Sequence, residues 1–139
     1  MIEIKAIKDV KYEDYDVIYA IVRSMKYKSD KIIQVPELSP SRELFFEYLR
    51  LKKENNWNKD TFERIYVPQF LKEMKEKTAT DWLNKLYIDS KQKRICLVCF
   101  CPKEELCHRK IIQGLLQGAE ANISLEKDYR KYYEMYQNM

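Results

Sequence analysis

Two periodicities succeed one another along the chain. Residues 2–7, IEIKAI, alternate apolar and polar positions, which predicts a half-buried strand. Residues 16–24, DVIYAIVRS, form a continuous β-branched apolar run, as expected of a strand covered on both faces. Residues 31–38, KIIQVPEL, predict a short extended piece ended by Pro36. The spacing then becomes helical. In LSPSRELFFEYLRLKKEN, Ser39 is placed as a cap with Pro40 in the first turn, and Leu44, Phe45, Tyr48, Leu49 and Leu51 recur along one side. NKDTFERIYVPQFLKEMKEK offers Asp60 and Glu63 as a capping box, with Pro68 expected to kink or interrupt the helix. TATDWLNKLY predicts a third helix, capped by Thr78 or Thr80.

KRICLVCFC is the clearest strand, and its apolar character on both faces predicts a central position. A short loop, PKEE, separates it from EELCHRKIIQGLLQGAEA, a helix with Leu106, Ile111, Ile112 and Leu115 on one side. The last segment, SLEKDYRKYYEMYQNM, predicts a tyrosine-rich helix over about residues 124–138, capped by Ser124. Strands alternating with helices predict an α/β fold. The expected form is one three-layer domain over residues 1–139, with a largely parallel central sheet and helices on both faces.

Composition narrows the class. The chain has 139 residues, 45% hydrophobic and 35% charged, which fits a globular domain rather than a disordered one. No apolar run approaches the roughly 18 residues of a membrane span, and the amino-terminal residues carry no signal-peptide core, so a cytoplasmic protein is expected. Net charge is +4, a mild excess that permits an anionic partner without requiring one. The four cysteines lie between Cys96 and Cys107, too close along one strand for a disulfide framework, so reduced thiols are expected. Gly114 and Gly118, the only two glycines, predict close packing of their helix on the sheet. Their scarcity elsewhere excludes a Walker loop and a dinucleotide-binding glycine fingerprint.

The candidate chemistry lies in CFCPKEELCHR, which holds three of the four cysteines and the single histidine. A strand end followed by a helix start is where open α/β sheets bind ligands, and helix amino termini favour anions. The same field lowers a thiol pKa, and Arg109 can grip a phosphate or carboxylate with two parallel hydrogen bonds. A cysteine-phosphatase loop is disfavoured, because Arg109 follows Cys107 by two residues and the loop lacks glycine. For zinc, Cys99, Cys101 and Cys107 are able to converge at the strand end, whereas Cys96 faces the other way by strand alternation. No metal or cofactor is therefore assigned, and zinc stays as the alternative. Taken singly, each of these residues is as readily a core or capping residue.

The segment resembles the domain of unknown function 488 family, found in bacteria, archaea and phages. Its pattern is an apolar strand ending in Cys, a seven-residue gap, then Cys-His-Arg and an amphipathic helix, here Cys99 and Cys107-His108-Arg109. Cys101 stands where many members carry an acidic residue. YDVIYAIVRSM, VPELSPSRELFFEYL and WNKDTFERIYVPQFL resemble the family's early strand, its proline- and serine-containing loop and its tryptophan-containing segment. The likeness covers about residues 15–120 and leaves the final helix outside. It implies an α/β fold and a pocket built from Arg23, Ser24, Ser39, Ser41, Cys99, Cys107, His108 and Arg109, but no reaction.

Two kinds of function stay open at this point. One is an anion pocket for a nucleotide or a nucleic-acid phosphate, with Arg109, Arg23, Ser24, Ser39, Ser41 and Cys99 binding and Cys107 and His108 acting in catalysis. A variant of it, suited to a phage-encoded chain, sequesters a small nucleotide in regulation or defence. The other is a non-catalytic nucleic-acid or protein binding module using Lys52, Lys53, Lys72, Lys75, Lys77 and the tyrosine-rich tail.

Overall fold

In a computed structural model, residues 1–25, 29–101 and 106–139 are described. The predicted PKEE loop, residues 102–105, lies outside the described residues. Four strands form one sheet: β1 Ile2–Ala6, β2 Val17–Ala20, β3 Ile33–Gln34 and β4 Ile95–Cys99, in the order β1-β4-β2-β3. All three pairings are parallel, with Ile2 opposite Ile95, Val17 opposite Ile95, and Tyr19 opposite Ile33. Every residue of β4 is buried, as its unbroken apolar run requires of a strand flanked on both edges.

Five helices accompany the sheet. They are α1 Arg42–Lys53, α2 over residues 59–73, α3 Lys77–Asp89, α4 His108–Gly118 and α5 Lys131–Gln137. The main core joins one face of the sheet (Ile2, Tyr19, Ile95, Leu97) to apolar residues of all five helices, among them Leu44, Phe70, Leu86, Ile112 and Tyr132. The opposite face, Ile18, Ala20, Cys96 and Val98, forms a smaller core with Ile32 and with Ile7, Val10 and Tyr15. The α/β fold and the parallel sheet are as the pattern predicts. The helices of the second face, however, are short 3₁₀ turns, Ile7–Asp9 and Tyr12–Asp14. The connection from β1 to β2 is too short to hold an α-helical crossover.

Helix boundaries differ from the sequence reading for local reasons. Ser41, not Ser39, caps α1, its hydroxyl accepting from Leu44 N at 3.1 Å. Ser39 instead closes a 3₁₀ turn, Pro36–Leu38, donating its hydroxyl to Pro36 O at 2.6 Å. In α2 the reciprocal capping box is made by Asn58 and Thr61 rather than by Asp60 and Glu63. Pro68 does not break this helix. A π turn over Phe62–Tyr66 precedes it, with Val67 N bonded to Phe62 O, so the chain absorbs the missing proline N–H without ending the helix.

α3 starts at Lys77 with Glu76 at its N-cap, and Thr78 and Thr80 lie inside it. α5 starts at Lys131 rather than Ser124, because Gln117 of α4 holds the preceding segment as a loop. Its amide donates to Ser124 O (2.8 Å) and Lys127 O (2.6 Å) and accepts from Tyr129 N (2.8 Å). Gly114 and Gly118 pack closely, but against this C-terminal segment rather than the sheet. A Cβ at Gly114 would collide with the Tyr129 carbonyl, and one at Gly118 with the Tyr133 ring. Among the described residues, no helix is long and apolar enough to cross a membrane.

Candidate functional site

Parallel pairing of β2 with β4 brings Ala20 opposite Val98, so Ile21–Arg23 and Cys99–Cys101 leave the sheet at the same edge. Cys107 is the N-cap residue of α4, extended in backbone and without a side-chain capping bond, which leaves its thiol free to face that edge. Alternation along the strand turns Cys99 toward the helices and Cys96 into the smaller core behind. Cys101 follows Cys99 by two residues and returns to the same side. The Sγ atoms of Cys99, Cys101 and Cys107 lie within 4.8 Å of one another, and Cys99 and Cys107 are 3.5 Å apart.

His108 joins the two strand ends. Its Nε2 lies 2.7 Å from Ile21 O, and a carbonyl only accepts, so Nε2 carries the proton and Nδ1 presents a lone pair. That lone pair faces Cys107 Sγ at 3.7 Å. Burial holds the His108 pKa below its ordinary value, the bond to Ile21 O opposing, so the ring is neutral at rest. An aromatic ladder leads to it through α2: Phe62 and Tyr66 are stacked at 5.3 Å, Tyr66 and Phe70 at 6.1 Å, and Phe70 meets the imidazole at 5.6 Å.

Three thiols in contact cannot ionise independently. Cys101 is held below the ordinary thiol range, chiefly by the neighbouring Cys107 and then Cys99 thiols, with help from Arg109 and against the cost of burial. Cys99 and Cys107 are pushed up in turn, each foremost by its bond to Cys101. Of the three, Cys101, the most solvent-exposed, is the thiol that gives up its proton most readily.

Arg109 is 8% exposed, and its Nε is buried without a hydrogen-bond partner. Among the described residues it forms no ion pair and no hydrogen bond. Tyr66, 6% exposed, has its phenol pKa raised, first by burial and then by the neighbouring Cys107 and Cys101 thiols and Glu73. It sits at the end of the π turn, between the thiols and the last residue of α2.

Glu73 belongs to a second feature, a cleft of about 240 Å³ lined by Arg23, Ser39, Ser41, Glu37, Glu73 and Glu76 among others. Arg23 Nε donates to Pro40 O at 2.9 Å, and Glu73 accepts from Ser41 N at 2.8 Å and from the Ser41 hydroxyl. The predicted residues thus fall into two neighbouring groups, Cys99 with Cys107, His108 and Arg109, and Arg23 with Ser39 and Ser41. Ser24 is exposed and lines neither. Sequence reasoning named Cys101 as able to converge with Cys99 and Cys107 but left it out of the anion pocket, and it missed Tyr66 and the carboxylates of the cleft. Cys101 was signalled by its two-residue offset from Cys99, and Tyr66 by the 62-66-70 aromatic spacing. The carboxylates of the cleft had no sequence signal, because Glu73 meets Ser41 from a distant helix.

The basic and tyrosine-rich surface is arranged differently from a stacking platform. Tyr132 is buried and donates to Glu63 at 2.8 Å, Tyr136 donates to Met74 O at 2.7 Å, and Lys75 lies over the Tyr136 ring at 3.9 Å.

No curated protein and no solved structure matches the chain. A family model does, that of DUF488-N3a, described as the active DUF488-N3 subclade. It spans residues 2–120, and so includes β1 as well as the whole strand-end site, and stops before α5. Matched over most of its length, the chain belongs to the DUF488-N3a family.

Proposed function

We propose that the chain binds an anionic substrate, a nucleotide or a nucleic-acid phosphate, at the strand-end pocket, and acts on it through a thiol. The observation that carries this reading is Arg109, a buried cation with an orphaned Nε and no carboxylate salt bridge among the described residues. A guanidinium is retained in such a place when something anionic completes it, and phosphate or carboxylate matches its fork. The neighbouring cleft suits the uncharged part of the same ligand. Its carboxylates accept from hydroxyl and amino groups, such as those of a ribose or a base, while Arg23 supplies a cation.

Cys107 is the proposed nucleophile. Its proton has two acceptors in reach, the Cys101 thiolate and His108 Nδ1. The thiolate forms a bond to the electrophilic centre of the substrate, the bond to the leaving group breaks, and the proton returns to that group from His108. The family's description as an active subclade supports a catalytic role over sequestration.

Calorimetric titration with inorganic phosphate and with a panel of nucleotides tests the binding step. Arg109→Gln should weaken binding at least about tenfold, the loss of one charge-assisted contact. Equal affinity in the variant refutes the assignment. Cys107→Ser should then abolish substrate consumption while retaining binding.

A further inference from the structure

We infer that Cys99, Cys101 and Cys107 form a binding site for one thiophilic divalent metal ion, of which Zn²⁺ is the representative. A nucleophilic reaction needs one thiol, and a resolving step a second. Three converging on one point is a ligand set. With Zn–S bonds of about 2.3 Å, two sulfurs of a tetrahedral site stand about 3.8 Å apart. The Cys99 and Cys107 sulfurs are separated by 3.5 Å, and Cys101 closes the triangle within 4.8 Å. The scaffold is stiff where it must be, since Cys99 ends the central strand and Cys107 caps a helix docked against it.

Two neighbours behave as the surroundings of a metal require. His108 donates its Nε2 proton to a backbone carbonyl, the usual arrangement of a histidine whose other nitrogen serves a metal. Its Nδ1 lies 3.7 Å from Cys107 Sγ, close to the roughly 3.6 Å sulfur–nitrogen edge of a tetrahedral site. Nδ1 is therefore the candidate for the fourth position. Arg109 supplies the charge balance. A divalent ion on three thiolates carries one net negative charge, which the buried guanidinium offsets. Binding releases the protons still held by the trio, and no electron transfer is involved.

This inference stands apart from the anion reading, because its ligands are the thiols rather than Arg109. The two exclude each other at Cys107. A bound ion removes that thiol from nucleophilic attack, so metal loading would inhibit the proposed reaction.

The test uses the full chain, reduced and stripped with a chelator, then titrated with Co²⁺ alone. One equivalent should give a thiolate-to-cobalt charge-transfer band and the intense visible bands of tetrahedral cobalt, and stoichiometric Zn²⁺ should bleach both. Cys101→Ser should weaken binding at least about tenfold, whereas Cys96→Ser should leave stoichiometry and spectrum unchanged. Cys101 is partly exposed, so its serine variant should fold; circular dichroism checks this. A measurement without variants accompanies it: one equivalent of Zn²⁺ should protect Cys101 from alkylation. Absence of the charge-transfer band, or equal affinity in Cys101→Ser, overturns the site. Phosphate affinity of the metal-free protein is measured alongside. It depends on Arg109 whatever the metal result, so either reading can fail alone.

Discussion

Replacing Arg109 by methionine should make the protein more stable while removing its affinity for anions. The side chain is 8% exposed, and its Nε is a buried donor without a partner. An unsatisfied buried donor on a charged group costs about 1–3 kcal/mol, and partial hydration of the rest of the guanidinium places the gain near the lower end, about 1–2 kcal/mol. Methionine keeps the aliphatic stem that lies among the surrounding apolar groups, so packing loss is small. Cys101 is lowered chiefly by Cys107 and Cys99, with Arg109 the smallest contributor, so losing the guanidinium takes little from the thiol trio.

For a domain of this size, at about 3–4 °C per kcal/mol, the gain corresponds to a rise in Tm of about 3–7 °C. The assay is thermal unfolding followed by circular dichroism, with and without phosphate. The wild-type Tm should climb with phosphate, by about 2.7 kcal/mol of stability at a hundred times Kd, and the Arg109→Met protein should not respond. A variant destabilised by more than about 1 kcal/mol would refute the reasoning. Arg109 would then be held by protein groups, and the pocket would not be short of an anion.

Three further outcomes follow from other parts of the molecule. Gly118→Ala drives a methyl group into the Tyr133 ring and should cost about 1–3 kcal/mol by denaturant unfolding; a neutral effect would mean that the C-terminal segment does not rest in this groove. Limited alkylation read by mass spectrometry should label Cys101 first, and Cys96 only on unfolding, since Cys96 is fully buried and its thiol is pushed up to about 11, chiefly by burial. Asp16 accepts from Arg94 N at 2.8 Å, and this bond is the main reason its carboxyl lies below the usual range. Its contribution is present above the ordinary carboxyl pKa and is lost as pH falls through the depressed value. Asp16→Asn should therefore lower Tm at neutral pH, with the gap to wild type closing in acid.

The sheet and the placement of the candidate residues at the strand end were legible because their signals are local. ICLVC is apolar at every position, so it reads as a central strand, and Cys107-His108-Arg109 at the next helix start places chemistry at that strand's carboxyl end. Two-residue alternation was enough to separate Cys96 from Cys99. The helix caps were misread where two candidates compete within one turn. Ser39 and Ser41 both flank Pro40, and only the 3₁₀ turn before them decides which one starts α1. The limits of α5 were hidden because Gln117, in a preceding helix, dictates the conformation of residues 124–129. The π turn was invisible for a similar reason, since nothing in FERIY distinguishes it from an ordinary helical turn. What escaped at the candidate site was likewise non-local: the pairing of Glu73 with Ser41, and the docking of the 62-66-70 aromatic face beside the thiols, which the spacing alone does not specify.

The two glycines of α4 and the segment they receive form a matched pair that straddles the boundary of the family region. Residues 114 and 118 lie inside residues 2–120, whereas Tyr129 and Tyr133 lie beyond them. The helix is thus cut to the shape of a segment that lies outside the matched region. Grafting this C-terminal extension onto another core would demand glycine at both positions. Removing it from this one would leave a notch that only larger side chains at 114 and 118 refill. Core and extension are interchangeable parts only if they are exchanged together.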